Sequence, residues 1–593
     1  MLNNIYVRWL AFVTILFTAA IEYFRLTWIL VFFSGYGITG DGVLYFYMGR
    51  GLLNGLHMYT DLFETKPPGI FWLSELSLII SNNDFPYRLL QAVLLLSIPL
   101  ILTGACVLFL KSHPYRKIAC AATFLFGAAM ASFIVDRTQG YQTEGFAVVP
   151  VIVCSMIPAF YSNRKIPIQW LLVSAACLTA AILLKEPFAI SIVAASLLLI
   201  RTRRDVKNIA SIALIGAFLW IGVLILTGVW QAYWSVYLPE MFAGRVVPFV
   251  QYHDYGTDTF YIIKASTFAR GMNIVVMFKN VFATPFFLSA VAVTVLFVCQ
   301  HWQVSKKEAS FLSLFFGSLA VISGVAALNL LFVFHQMISL LHSVPLQSGF
   351  FLWKVVECTG LLAITIVTLW TMIRRRKKNI ALKIIVCFCT LYLMMFSIGI
   401  GGDFTGKHFV FAVPAVIAAY IALLRSMGEK PGSTAAIPVC IVILLLIVQA
   451  VLPHRYDMQT LAADRAIINK GQAESFSIGP RVDALLDACG LDRYLQVGDL
   501  PYWTIHSPDQ LTYGIIRAAK QTNDFYQTPA NEYLKQKLDH DWAEMKVAFV
   551  RHDLTENLLF MYKEKIASFI AEPPECAKPF LPIPRVQTLF RQL

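Results

Sequence analysis

Asp41 and Lys66 are the residues of this chain best placed by type and spacing for chemistry at a membrane surface. Asp41 stands in Gly40-Asp41-Gly42-Val43-Leu44-Tyr45-Phe46-Tyr47-Met48-Gly49-Arg50-Gly51-Leu52-Leu53-Asn54-Gly55, and Lys66 in Met58-Tyr59-Thr60-Asp61-Leu62-Phe63-Glu64-Thr65-Lys66-Pro67-Pro68-Gly69. The first stretch holds too few apolar residues to cross a bilayer, so it is expected as an interfacial helix, aromatic side toward lipid, with Asp41 at its entry. The prolines fix the turn in front of a short apolar run, Ile70 to Ile80. A carboxylate and an ammonium group are thereby set where the headgroup of a lipid substrate would lie. Two plainer roles compete. Asp41 could cap the helix that follows by accepting a free backbone N–H, and Lys66 could extend its ammonium group from apolar surface to water.

Further polar groups interrupt the apolar sequence elsewhere. Asp136-Arg137-Thr138-Gln139-Gly140-Tyr141-Gln142-Thr143-Glu144 is short and polar, and a salt bridge among its charges is as good an account as a binding role. Lys185 and Glu186 fall where two apolar runs meet, and charge at membrane depth is costly enough to point to function, although a local ion pair also explains them. The stretch Trp230 to Val281 contains Arg245, His253, Asp254 and several aromatics and could close over a ligand. Gly401-Gly402-Asp403-Phe404-Thr405-Gly406-Lys407-His408-Phe409 precedes an apolar run through Pro414. Here too Lys407 could snorkel at a span end, and a lone external histidine is more often structural.

These residues need a frame, and composition says which. The chain has 593 residues, 58% of them hydrophobic and 14% charged, with a mean hydropathy of +0.65, whereas about 25% of an ordinary soluble domain is charged. Water cannot solvate such a surface. Apolar runs of roughly 17 to 25 residues recur from Trp9 to Val451, continuous rather than alternating, which predicts membrane-spanning helices and not barrel strands. About 13 spans are expected, near 9–33, 88–110, 118–135, 144–160, 168–184, 186–200, 208–229, 282–300, 309–334, 351–373, 384–400, 409–424 and 434–451. Short loops dense in Lys and Arg (Lys111, Arg116, Lys117; Arg164, Lys165; Arg201, Arg203, Arg204, Lys207; Lys306, Lys307; Arg374 to Lys378; Arg425, Lys430) should be cytoplasmic, which puts the N-terminus inside and the C-terminus outside. The first external loop then spans 34–87. The N-terminal apolar run is too long for a signal peptide and lacks a small-residue cleavage site, so it is expected as a retained span.

The formal charge of +13 does not signal nucleic acid. From Leu452 onward there are 16 Lys and Arg against 18 Asp and Glu, so the basic excess lies in the membrane part, where it orients helices and meets anionic lipid. The expected organisation is an α-helical polytopic membrane domain over 1–451 and a small C-terminal α/β extracytoplasmic domain over 452–593. In the latter, helix-like stretches (Pro480 to Ala488, Asn531 to Leu538, Thr555 to Ile570) alternate with strand-like ones (Tyr494 to Val497, Lys546 to Val550) before a Pro-rich end, Glu572 to Pro584. All cysteines but Cys489 and Cys576 fall in or beside apolar runs, where a thiol packs as a small hydrophobe. Cys489 and Cys576 lie in the C-terminal segment, and an oxidising compartment would allow them to form a disulfide.

Asp41, a following Tyr45, Gly51-x-x-x-Gly55, Tyr59-x-Asp61 and Lys66-Pro67-Pro68-Gly69 together resemble the first loop of GT-C glycosyltransferases, in particular the protein O-mannosyltransferase-like group that includes lipid A aminoarabinose transferases and bacterial arabinofuranosyl- and mannosyltransferases. The Lys407-His408-Phe409 stretch is similar to the late external motif of these enzymes. Gly42 follows Asp41 where many of them carry Asp-Glu. The resemblance implies the GT-C fold and a transferase that moves a sugar, such as arabinose or mannose, from a polyprenyl-monophosphate carrier to a hydroxyl of an envelope polysaccharide, lipid or protein, on the external face of a bacterial inner membrane. It implies Asp41 as general base and Lys66, then Lys407 and His408, as ligands of the donor phosphate; Arg137, in its short polar loop, is a further candidate for that phosphate. Tyr45, Tyr59, Asp61, Asp136, Glu144, Lys185, Arg245, His253 and Asp403 are the candidates for sugar or acceptor contacts. No cofactor is required by that reading, although the loop acids could bind a divalent cation. A secondary transporter would instead show inverted repeats and charges at mid-membrane, neither of which the sequence displays. A lipid-linked oligosaccharide polymerase or ligase would share the external acid and base groups and differ in carrying its donor on a diphosphate.

Overall fold

The computed structural model describes residues 5–28, 41–62, 66–138, 143–186, 203–239, 478–497, 504–510, 543–551, 572–584 and 586–591, with isolated positions elsewhere, Glu64 and Tyr420 among them. The described part is mostly helical. Its helices are α1 (Ile5–Thr27), α2 (Asp41–Leu53), α3 (Gly69–Ser81), α4 (Phe85–Phe109), α5 (Arg116–Thr138), α6 (Thr143–Phe160), α7 (Ile168–Leu184) and α8 (Arg203–Leu226). Among the described residues three helices are long and apolar enough to cross a membrane, Trp9–Thr27, Phe85–Phe109 and Arg204–Leu226, while Gly145–Phe160 and Ile168–Leu184 are shorter apolar helices. The expected spans at 282–300, 309–334, 351–373, 384–400 and 434–451 lie outside the described residues, as do most of 186–200 and 409–424.

Helix ends depart from the hydropathy pattern in a consistent way. α5 takes in Arg116 and Lys117 at its start and Asp136 to Thr138 at its end, so the first three residues of the polar stretch before Glu144 are helix terminus. α8 likewise begins at Arg203, inside the basic segment. Long charged side chains are good helix formers and can reach water from a helix end, so apolarity ends before the helix does.

The chain divides into two compact units. The first comprises Met1–Ile29, Ala92–Trp220 and Pro248–Arg455. Here α1 leans on α5: Ser132 Oγ donates to Glu22 Oε1 at 2.6 Å, and Arg25 contacts the same carboxylate at 2.8 Å. A carboxylate in so apolar a helix is tolerable because both neighbours compensate it. At Gly127 of α5 an added Cβ would lie 2.4 Å from Pro99 Cα, so only glycine permits this approach to α4. Thr179 of α7 donates to the Gly216 carbonyl of α8 at 2.9 Å. The α6–α7 turn is held from α8, whose Asp205 accepts the Asn163 N–H at 2.8 Å. On α1, Leu10, Phe17 and Phe24 are 70%, 67% and 67% exposed, and their seven-residue spacing puts them on one stripe. Together with the length of this apolar helix, such a face suits lipid rather than water. The strand pair β1 (Val250–Gln251) and β2 (Tyr261–Ile262) is antiparallel.

The second unit comprises Leu30–Gln91, Ile221–Val247 and Tyr456–Leu593. Its C-terminal part is a four-stranded sheet of order β4-β3-β5-β6, built from β3 (Arg493–Val497), β4 (Ser507–Gln510), β5 (Val547–Arg551) and β6 (Val586–Phe590). β3 pairs in parallel with β4 and β5, and β6 closes the other edge antiparallel to β5. Residues 478–488 are helical, and Ile478, Val482, Leu485 and Leu486, spaced to share one helix face, form a core with Tyr494, Val547, Phe549, Val586 and Phe590. Cys489 and Cys576 are joined by a disulfide beside this core. Sequence patterning anticipates the 478–488 helix, β3 and β5. It misses β4, whose Ser-Pro-Asp-Gln composition suits only a sheet edge, and β6, which follows the Pro-rich stretch.

Candidate functional site

Two helices and a tight turn position the first-loop residues. α2 begins at Asp41, as the polar interruption predicts, but it is not laid out on a surface. Tyr45, Phe46, Tyr47, Met48 and Arg50 are all buried, the tyrosine at position 45 with 1% exposure. The cause is Gly49, whose missing side chain lets α2 approach α3 closely enough that a Cβ would fall 2.7 Å from the Glu75 nitrogen. Protein therefore covers the aromatic residues expected to meet lipid.

After α2, Gly55 takes a φ of 85° and the chain reverses. Residues 57 to 62 then close on themselves: Asp61 Oδ2 accepts the His57 N–H at 2.8 Å, and the Tyr59 N–H donates to the Leu62 carbonyl at 2.6 Å. Tyr59 occupies the left-handed region at φ 64°, and its ring is fully buried against Tyr237 at 4.7 Å and Tyr233 at 6.1 Å between centroids. Its hydroxyl donates to the Lys66 carbonyl at 2.7 Å. Lys66 thus starts from a backbone fixed by the turn on one side and by Pro67 and Pro68 on the other. Its ammonium group lies 5.3 Å from the centre of the Tyr45 ring and 3.5 Å from Glu64 Oε1, with side-chain exposures of 16% for Lys66 and 6% for Glu64. A cation on an aromatic face beside a buried carboxylate is stabilised by both.

The far end of α2 is tied to the C-terminal segment of the same unit. Asn54 Nδ2 donates to the Ile505 carbonyl at 2.8 Å, and the Ile505 N–H donates to Asp483 Oδ1 at 3.0 Å. Arg50 donates to Asn82 Oδ1, Asn82 being the left-handed cap that ends α3. Burial lowers the Arg50 pKa from its ordinary value, an effect opposed by the Asp483 carboxylate. Burial also raises the Asp483 carboxyl, opposed by the N–H groups of Ile505 and His506 and by the His506 and Arg50 charges.

The structure brings Tyr45, Tyr59 and Lys66 together; Asp61 sits in the adjoining turn, bound to its own loop. Asp41, Asp136, Arg137 and Glu144 are placed as helix residues, and their side chains lie outside the described part. Lys185 directly follows α7, with its N–H donating to the Ala181 carbonyl at 2.8 Å. Arg245, His253, Asp403, Lys407 and His408 lie outside the described residues, so the expected convergence of the late motif on the first loop does too. Among the described residues no three His, Cys, Asp or Glu side chains group as a metal site. Sequence reasoning passed over Glu64, Tyr233 and Tyr237. Glu64 offered a signal in its position two residues before Lys66; the tyrosines offered only their four-residue helical spacing.

No protein family matches the chain, and no curated protein matches it. Among solved structures, the crystal structure of the Archaeoglobus fulgidus oligosaccharyltransferase in complex with Zn and sulfate aligns over 93% of this chain and 71% of that one, with 11% identity and a TM-score of 0.38. A TM-score of 0.38 is too low to carry fold, substrate or ions from that protein to this one.

Proposed function

We propose that the chain is an inverting membrane glycosyltransferase of the GT-C type. It would transfer a sugar from a polyprenyl-monophosphate carrier to a hydroxyl of a cell-envelope acceptor, at the external face of a bacterial inner membrane. The observation that carries this reading is the setting of Lys66: an ammonium group on the Tyr45 ring, its backbone fixed by Tyr59, in a loop whose helix begins at Asp41. The first-loop pattern that resembles this enzyme group passes through the same residues, and the exposed apolar stripe of α1 supports placement in a membrane. The disulfide of the C-terminal segment supports an external position for it.

In the proposed reaction Asp41 takes the proton from the acceptor hydroxyl, whose oxygen attacks the anomeric carbon. The bond from that carbon to the phosphate oxygen breaks, and the carrier leaves as a polyprenyl phosphate. Lys66, joined in this reading by Lys407, His408 and Arg137, meets the charge that develops on the leaving phosphate. Tyr59 acts through Lys66 as a positioning residue, and Tyr45 supports the ammonium group from its ring face.

The test is reconstitution of the full chain in lipid with polyprenyl-phosphate sugars, followed by comparison of Asp41→Asn and Lys66→Met with the parent. Asp41→Asn is expected to lower kcat about 100-fold or more, the range of a lost general base, and Lys66→Met to impair transfer and donor binding together. Full transfer by Asp41→Asn would overturn the mechanism. A lipid-linked sugar pool unchanged by deletion of the gene would count against the donor.

A further inference from the structure

Glu64 is a buried carboxylate beside the cation that the proposed reaction needs, and this juxtaposition has a direct electrostatic consequence. Its Oε1 lies 3.5 Å from Lys66 Nζ, longer than the roughly 2.7–2.9 Å of a tight charge-assisted hydrogen bond. An ammonium group carries three donors, so the contact with Glu64 does not by itself use them all. A phosphate oxygen in contact with Nζ then lies within about 6.5 Å of the carboxylate, counting a contact of about 3 Å beyond the pair itself. The Glu64 side chain is only 6% exposed, so salt screens this interaction weakly.

Resting on the reading of Lys66 as the donor-phosphate ligand, we infer that Glu64 is a specificity-determining residue, which lets Lys66 hold a phosphodiester and release a phosphomonoester. The physical basis is charge. A sugar-phosphate-lipid diester bears one negative charge. Once the sugar has left, the carrier is a monoester whose second ionisation, near pH 6, brings it close to two charges at pH 8. Coulomb repulsion from a fixed carboxylate scales with the charge it meets, so Glu64 penalises the product about twice as strongly, in free energy, as the substrate. Lys66 alone would favour the more highly charged product; paired with Glu64 it does so less. The carboxylate thus limits product retention at a site that must bind phosphate before and after the reaction.

Binding of two probes to the full chain in nanodiscs at pH 8 tests this without requiring turnover: farnesyl phosphate, a monoester, and its methyl diester. Glu64→Gln is expected to strengthen monoester binding about tenfold and diester binding about threefold, the square-root relation that follows from halving the charge. Glu64→Asp, which keeps the charge, is expected to preserve the parent's discrimination. Equal strengthening of both probes, no change, or weaker binding by Glu64→Gln would overturn the inference, as would a Glu64→Asp chain that behaves like Glu64→Gln. Lys66→Met should weaken both probes. If it leaves both unaffected, the phosphate reading of Lys66 itself fails, an outcome separable from failure of the charge argument alone. Thermal melting of each variant identifies any chain whose binding is altered by unfolding.

Discussion

Tyr59 shows how much of the site depends on a single side chain acting at both of its ends. Its backbone holds a left-handed turn, its ring fills the space beside Tyr233 and Tyr237, and its hydroxyl donates to the carbonyl of Lys66. Tyr59→Phe keeps the first two and removes the third. The expected cost is about 1 kcal/mol of stability, the net worth of one hydrogen bond, with a raised donor KM and a nearly unchanged kcat; a fall in kcat at constant KM would show that Tyr59 acts in the chemical step instead. Asp483 makes a different prediction. Burial raises its carboxyl pKa, so the folded chain binds that proton more tightly than the unfolded one. Its contribution to stability is therefore greatest in acid and is lost as pH rises from the unfolded value of about 3.9 through the raised folded value. Asp483→Asn should flatten that part of the melting-temperature profile, on the side above the ordinary carboxylate range.

At the scale of elements, α2 depends on glycine for its burial. An alanine Cβ at position 49 would meet backbone of α3, at 2.7 Å from the Glu75 nitrogen, whereas at position 51 it would meet the Leu62 side chain at 2.7 Å. Backbone cannot yield as a leucine terminus can, so Gly49→Ala is expected to cost about 1–3 kcal/mol and Gly51→Ala clearly less. Paired denaturation curves check the order, and a Gly51→Ala loss as large as that of Gly49→Ala would contradict the packing. The same elements show what was legible in sequence. Asp41 opening a helix and the turn at Pro67 and Pro68 follow from local rules: a polar interruption between apolar runs, then residues that fix φ. The burial of α2 does not follow, because its cover comes from a close helix approach and from distant chain. Arg50 reads as one cation on an amphipathic stretch until the fold brings it within the field of the Asp483 carboxylate. Glu64 is similar. Its pairing with Lys66 depends on the path of the loop, which no periodicity encodes. β4 was illegible for another reason, since a polar edge strand lacks the apolar alternation by which strands are recognised.

For the whole molecule, the sheet and the first loop belong to one compact unit, and a covalent link secures part of it. Cys489 and Cys576 bracket a sequence separation of 87 residues. Replacing both by serine is expected to cost about 2–4 kcal/mol, the usual worth of a disulfide that closes a long loop. In intact cells treated with a membrane-impermeant thiol reagent after mild reduction, these cysteines should label while those of the apolar helices do not. Labelling of Cys489 and Cys576 only after the membrane is opened would place the segment on the other side.

The hydrogen bond from Asn54 to Ile505 joins positions 451 residues apart. A ribosome adding about 5–20 residues per second needs roughly 20–90 s to go from one to the other. During synthesis, then, α2 and the Lys66 turn are inserted long before the chain that completes their unit exists. An early-emerging element with a buried Arg50 awaiting a late Asp483 is a natural client for a membrane chaperone. Nascent chains stalled before position 483 should present α2 to proteases that cannot cut it in the finished protein.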